Sequence, residues 1–146
     1  MYADTDGQRF ALYHAERATG FFEAHTLGSP YEAKKIVSGL NIRGLDVVFG
    51  EHSRYDGCYY APTRDQWYKG WRGHVDLTPT GRTICVLLHE LAHCLVTEGY
   101  YGNVEIERHG AEFAWHYVYL VYKVLGRGYA TSLADMFVSY NVKGQR

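Results

Sequence analysis

Cysteine, proline and methionine are scarce in this 146-residue chain, at three, three and two residues, and neither sign of charge prevails, the formal net charge being −1. Each shortage excludes something. Cys58, Cys85 and Cys94 cannot all pair. Cys85 and Cys94 fall on one expected helix about 13 Å apart along its axis, beyond the roughly 7 Å between Cα atoms that a disulfide spans. Reduced, buried thiols are therefore expected. The near-neutral balance lacks the basic face or tail of an autonomous nucleic-acid binder. The longest apolar runs, Ile84 to Leu88 and Tyr117 to Tyr122, are far too short to span a bilayer. The opening stretch MYADTDGQRF has no basic-then-apolar leader pattern. A cytoplasmic protein with no membrane partner is expected. No repeat, linker or low-complexity tract divides the chain, so one domain over residues 1–146 is expected.

What is present is a globular composition, 47% hydrophobic and 21% charged, with fourteen tyrosines and eight histidines. Several aromatics, Tyr55, Tyr59, Tyr60, Trp67, Tyr68 and Trp71, crowd one region. They can cover a small core or form a substrate-facing wall, and the first is the commoner use of such side chains.

The organising stretch is TGRTICVLLHELAHCLVTE, Thr80 to Glu98. Its apolar residues cover most of a helix circumference, the pattern of a helix packed on several sides. Thr78 and Pro79 mark its expected start and Gly99 its stop. Within it, HELAH places His89 and His93 one turn apart on one face, about 6 Å along the axis, near enough to share a metal ion. Glu90 lies about 100° round the helix from His89, better placed to hold a water than to join the ligands. Two imidazoles and a carboxylate are costly to bury without a partner, and a metal is a common one. The set is that of a zinc hydrolase. Cys94 points to a different face and is not expected to ligate.

The rest supplies the surroundings. Thr5 and Gln8 fit a capping box for a helix through QRFALYHAERAT, ended by Gly20, with His14 at its surface. FFEAHTLG allows a short strand, with Phe21 and Phe22 turned inward. Ser29, Pro30 and Glu32 start a second helix that ends near Gly39. Leu45 to Phe49 reads as a buried strand and Gly57 to Ala61 as another, and Gly73 to Leu77 reads as a half-exposed strand with His74 outward. Lying just before the metal helix, this third strand is expected at a sheet edge, where an extended peptide could add. His109 to Leu125 reads as a central helix closed by Gly126 and Gly128, and a last helix is expected to start near Ser132.

Two histidines leave a tetrahedral zinc one protein ligand short if water keeps a position. The candidates are His109, Glu112, Glu105 and Glu107. His109 is preferred because it is neutral when ligating, begins a helix that must pack on the metal helix, and has Gly110 beside it to permit close approach.

HELAH followed by His109-Gly110-Ala111-Glu112-Phe113 resembles the SprT-like (Spartan-type) zincins, in which the third ligand is the histidine of an HGxxF/W segment after a variable loop. The order of GCYYA, HVDL and the metal helix is similar too, over about Leu45 to Leu125. LYHAER and the chain length further resemble a family of small metallohydrolases of actinobacteria and their phages. The resemblance implies zinc on His89, His93 and His109, with Glu90 as general base. It also implies an α+β, minimal zincin-like fold, with a three-stranded sheet packed on a central HExxH helix and further helices on both sides. The basic region and C-terminal zinc elements of relatives that act on DNA-bound proteins are missing, so that role does not carry over. ERHGAEFA is also similar to the matching stretch of ImmA-like peptidases, which ligate through glutamate, and this keeps Glu107 and Glu112 as alternatives.

The expected activity is hydrolysis of a peptide bond in a peptide or protein substrate. An enzyme for a non-protein amide and a non-catalytic, zinc-stapled binding domain are the other readings. His116, two turns after His109 and four residues after Glu112, is the expected oxyanion donor, with Tyr100 and Tyr101 as rivals.

Overall fold

Every residue from Cys85 to Ala92 is buried, so the central helix is enclosed on all sides as its pattern implies. The structure, a computed structural model, describes residues 7–51, 55–100 and 109–144. In chain order these form α1 (Arg9–Ala18), α2 (Pro30–Gly39), β1 (Leu45–Phe49), β2 (Gly57–Tyr60), α3 (Arg64–Tyr68), β3 (Gly73–Leu77), a 3-10 turn (Pro79–Gly81), α4 (Ile84–Tyr100), α5 (Ala111–Leu125) and α6 (Arg127–Ser139). The class is α+β, six helices and a three-stranded sheet among the described residues. No helix among them is long and apolar enough to cross a membrane.

Helix α4 packs on β2 and β3 on one side and on α5 on another, while α5 carries α6 and α6 meets α1. One face of the sheet, with Val47 and Val75 side by side, joins this core. The residues of alternate register, Asp46, Val48, Cys58, Tyr60, His74 and Asp76, make the other face. His74 therefore points away from the core, as its alternation implied.

The strand order is β1-β3-β2, with β3 parallel to β1 and antiparallel to β2. This corrects the expectation for β3. Its backbone is paired on both sides and offers no edge, and the outer strands are β1 and β2. Its place just before the metal helix suggests an edge, but the chain enters α4 from a central strand whose half-exposure reflects one open face.

Several starts also differ from expectation. Pro79 opens only the 3-10 turn, and Arg82, with ψ near 59°, interrupts the chain before α4. Thr83 caps the helix instead, its Oγ1 accepting from the Val86 N–H at 3.2 Å. Helix α4 runs through the expected stop at Gly99 to Tyr100, the last residue described before 109. Helix α6 begins at Arg127, well before Ser132, because Gly126 at φ 98° turns the chain between α5 and α6 within one residue. The Thr63 to Arg72 connection carries α3, whose capping box joins Thr63 and Gln66. For α1, Thr5 lies outside the described residues, and Gln8 at the N-cap exchanges two hydrogen bonds with the Lys143 backbone. At α2 the Ser29 cap holds as expected. FFEAHTLG contributes a single bridge, Thr26 to Thr83, with Phe22 buried.

No disulfide joins Cys58, Cys85 and Cys94. Burial pushes the Cys85 thiol up to about 12 and the Cys94 thiol up to about 11, so both stay protonated.

Candidate metal centre

Helix α4 sets His89 and His93 on one face, their ring centroids 5.3 Å apart. His109 arrives from the chain ahead of α5, where Gly110 forms the N-cap. The Nε2 atom of His109 lies 3.3 Å from Nε2 of His89 and 3.1 Å from Nε2 of His93. Nitrogens held about 2.0–2.1 Å from one tetrahedral ion stand about 3.3 Å from each other. The three side chains are therefore spaced to share one ion, and they are the only such group of three among the described residues.

Behind them sits the fully buried Phe113, its ring centroid 4.9 Å from His89, 4.5 Å from His93 and 4.9 Å from His109. The aromatic residue of the HGxxF segment thus packs on all three imidazoles. It restricts their rotation without offering a hydrogen bond.

The tautomer of His89 follows from its other nitrogen. Nδ1 stands 2.7 Å from Oε2 of Glu16, a buried glutamate on α1, and the same oxygen accepts the Tyr117 O–H at 2.6 Å. An ionised carboxylate can only accept, so Nδ1 carries the proton and the Nε2 lone pair faces His109. Burial pulls the His89 pKa down, but the charge and hydrogen bond of Glu16, with the charge of Glu90, outweigh it and hold the imidazole above its usual value. Burial, with the Glu16 charge adding, keeps Tyr117 protonated well above the ordinary phenol range.

Glu90 lies beside the group without joining it, its Oε2 4.0 Å from the His89 Nε2. Burial raises its pKa; the neighbouring His89 lowers it, as does a hydrogen bond from the Tyr59 backbone. Its approach to the sheet needs Gly57, where a Cβ would stand 2.8 Å from Val86 and 3.3 Å from the Glu90 Cγ. A cavity of about 330 Å³ opens here. Helix α1 lines it with Tyr13, Glu16 and Arg17, the lead into β2 with Tyr55 and Asp56, β2 with Gly57, and α4 with His89 and Glu90. Asp56 is tied to the Thr80 hydroxyl at 2.7 Å and meets Arg17 at 3.5 Å across the rim.

No family model, curated protein or solved structure matches the chain. The functional argument therefore rests on this geometry.

The structure brings together His89, His93, His109 and Glu90. It does not bring His116 to them. His109 precedes α5 rather than starting it, so counting two helical turns from one to the other does not put them on a shared face. His116 sits half-buried beside Trp115, away from the cavity lining, and the next residue, Tyr117, is the one turned toward His89. Burial lowers the His116 pKa. Glu112 lies in the first turn of α5 and is not among the converging atoms. Glu105, Glu107 and Tyr101 lie outside the described residues, as does the Tyr100 side chain.

Glu16, Tyr13 and Tyr117 are the site neighbours that the sequence reading passed over. A signal existed for the first. Glu16 is four residues from Leu12 and next to Ala15, on the apolar face of α1, where a glutamate needs a partner. Of the aromatic group, Tyr55 borders the cavity, while Tyr59 packs on the core and donates its hydroxyl to the Arg72 carbonyl at 2.7 Å.

Proposed function

We propose that the chain is a zinc-dependent hydrolase of zincin-like, SprT-like build. Within that class we read it as a metallopeptidase, with His89, His93 and His109 holding the metal and Glu90 as general base. The supporting observation is the convergence of three Nε2 atoms within 3.1–3.3 Å, with the Glu90 carboxylate 4.0 Å from one of them beside an open cavity.

Zinc bound there supplies a Lewis acid and brings the pKa of its water from about 15.7 to about 7. The Glu90 carboxylate takes one proton from the attacking water, whose oxygen bonds to the scissile carbonyl carbon. As the carbon–nitrogen bond breaks, Glu90 returns that proton to the leaving amine, which makes the products a carboxylic acid, which then gives up its proton to solvent, and a free amine. The burial that raises the Glu90 pKa suits a carboxylate that must hold a proton between these two steps. Phe113 holds the imidazoles, and Tyr13, edge-on to His109 at 5.2 Å, walls the cavity.

A peptide is favoured over a smaller amide because β2, an outer strand, borders the cavity at Gly57, where an extended chain can run alongside. The test is zinc-loaded protein incubated with a peptide library and with simple amides, beside Glu90→Gln. The expected result is peptide cleavage by the wild type, and a turnover lower by about 10²–10⁴-fold in Glu90→Gln at equal zinc content. Equal turnover in the two proteins contradicts the mechanism. Cleavage of simple amides alone moves the substrate class but leaves the chemistry.

A further inference from the structure

We propose that Glu16 is a positioning residue for the metal centre: a carboxylate on α1 that fixes the tautomer and orientation of His89, and is itself fixed by Tyr117. The proposal rests on the metal-binding reading above and extends it to a helix outside the HELAH and HGAEF segments.

One carboxylate oxygen takes two buried donors, His89 Nδ1 at 2.7 Å and the Tyr117 hydroxyl at 2.6 Å, and the Glu16 side chain is 1% exposed. Both distances fall in the short range of charge-assisted hydrogen bonds. The Cys85 carbonyl, 3.5 Å from the Tyr117 hydroxyl, is too far to compete. Tyr117 therefore donates to Glu16, and Glu16 in turn requires the Nδ1 proton of His89. The remaining Nε2 lone pair is directed at the other two histidines.

Packing alone does not ask for a carboxylate here. Leu12 and Ala15 on the same face of α1 are fully buried, and an apolar side chain at position 16 would fill the space without desolvating a charge. What a carboxylate adds is basicity to the imidazole and a fixed ring plane. These are the means by which a hydrogen-bonded partner strengthens a metal-bound histidine. Helix α1 thereby becomes part of the metal centre. It lies 73 residues from His89 and 101 from Tyr117 in the chain, yet one atom of Glu16 joins all three elements.

The experiment measures the zinc dissociation constant by competition with a chromophoric chelator, for the wild type, Glu16→Gln and Tyr117→Phe, with the stability of each metal-free protein followed in urea. Glu16→Gln keeps the shape and an acceptor oxygen but removes the charge. Its zinc dissociation constant is expected to rise about 10–100-fold, with a smaller rise in Tyr117→Phe. A purely structural glutamate would change the urea midpoint and leave zinc affinity where it was, and that result overturns the proposal. Should Glu16→Gln fail to fold, nitrogen-15 NMR of the zinc-loaded wild type decides. A His89 Nδ1 proton shifted downfield, with ligation through Nε2, is expected, and ligation through Nδ1 overturns the assignment. Failure of the wild type itself to bind zinc removes the metal reading and this proposal with it, whereas equal affinity in Glu16→Gln removes the positioning role alone.

Discussion

Two groups of titratable side chains sit on opposite sides of the sheet, and among the described residues only the inner one brings three ligand atoms together. On the outer face His74 stacks on Tyr60 at 4.7 Å and pairs across the strands with Asp46. Asp46 already has its partners, Lys34 at 3.0 Å and the Val47 N–H at 2.9 Å, and the Lys34 hydrogen bond holds its carboxyl below the usual range. On the inner side His89, His93 and His109 direct nitrogens at one another, and the Glu16 carboxylate bonds the far nitrogen of His89. The residue types are similar on both sides, but the partners differ. On the inner side three ring nitrogens converge in a largely buried place, at a spacing that one metal ion would fit. On the outer face Asp46 is taken up by Lys34, while Asp76 buries its Oδ1 without a hydrogen bond and stands apart from any group of three ligand atoms among the described residues.

The largest test of this contrast removes the ring that holds the inner cluster. Phe113→Ala is expected to cost about 3–5 kcal/mol of stability and to weaken zinc binding, read by urea denaturation and chelator competition. Tyr60→Ala, at a residue 49% exposed on the outer face, should leave zinc affinity unchanged. Equal losses of zinc affinity in the two variants would erase the distinction.

A smaller effect is expected at Gly57, where an added methyl meets Val86 at 2.8 Å and the Glu90 Cγ at 3.3 Å. Gly57→Ala should cost about 1–3 kcal/mol through overpacking. It should also lower turnover while zinc content stays at the wild-type value, because Glu90 moves and the three histidines do not. A variant that lost zinc as readily as turnover would place Glu90 and the ligands in one unit rather than two.

The smallest effect belongs to the outer face. Lys34→Ala breaks an ion pair whose side chains are about half exposed, so solvent screening limits its cost to about 1 kcal/mol or less, with no change in zinc affinity. A larger cost would show that the outer cluster carries more of the fold than its exposure implies.

How much of this the sequence disclosed depended on the range of each interaction. Helix α4 was legible because its apolar residues run round the whole circumference, and the i, i+4 spacing of His89 and His93 settles their shared face locally. The Ser29 cap and the three strands were legible for the same reason, since period and capping chemistry act within a few residues. The central place of β3 was not, because half-burial looks the same at an edge and beneath an open face, and strand order is fixed by the path of the chain. The early start of α6 was hidden by a turn made on Gly126 alone, which sequence cannot tell from an ordinary helix stop. The expected role of His116 rested on helical phase counted from a residue that precedes the helix. Glu16 was the hardest to assign, because its apolar neighbours mark it as buried but its partners come from α4 and α5.

The central claim is that three histidines from two segments share one metal ion. The most direct measurement is the metal content of protein purified without added metal, by mass spectrometry, beside His109→Ala and His74→Ala. The account expects about one zinc per chain in the wild type and in His74→Ala, and a clear loss in His109→Ala. No metal in any of the three, even after incubation with zinc, would contradict it and leave the convergence of His89, His93 and His109 a feature of packing alone.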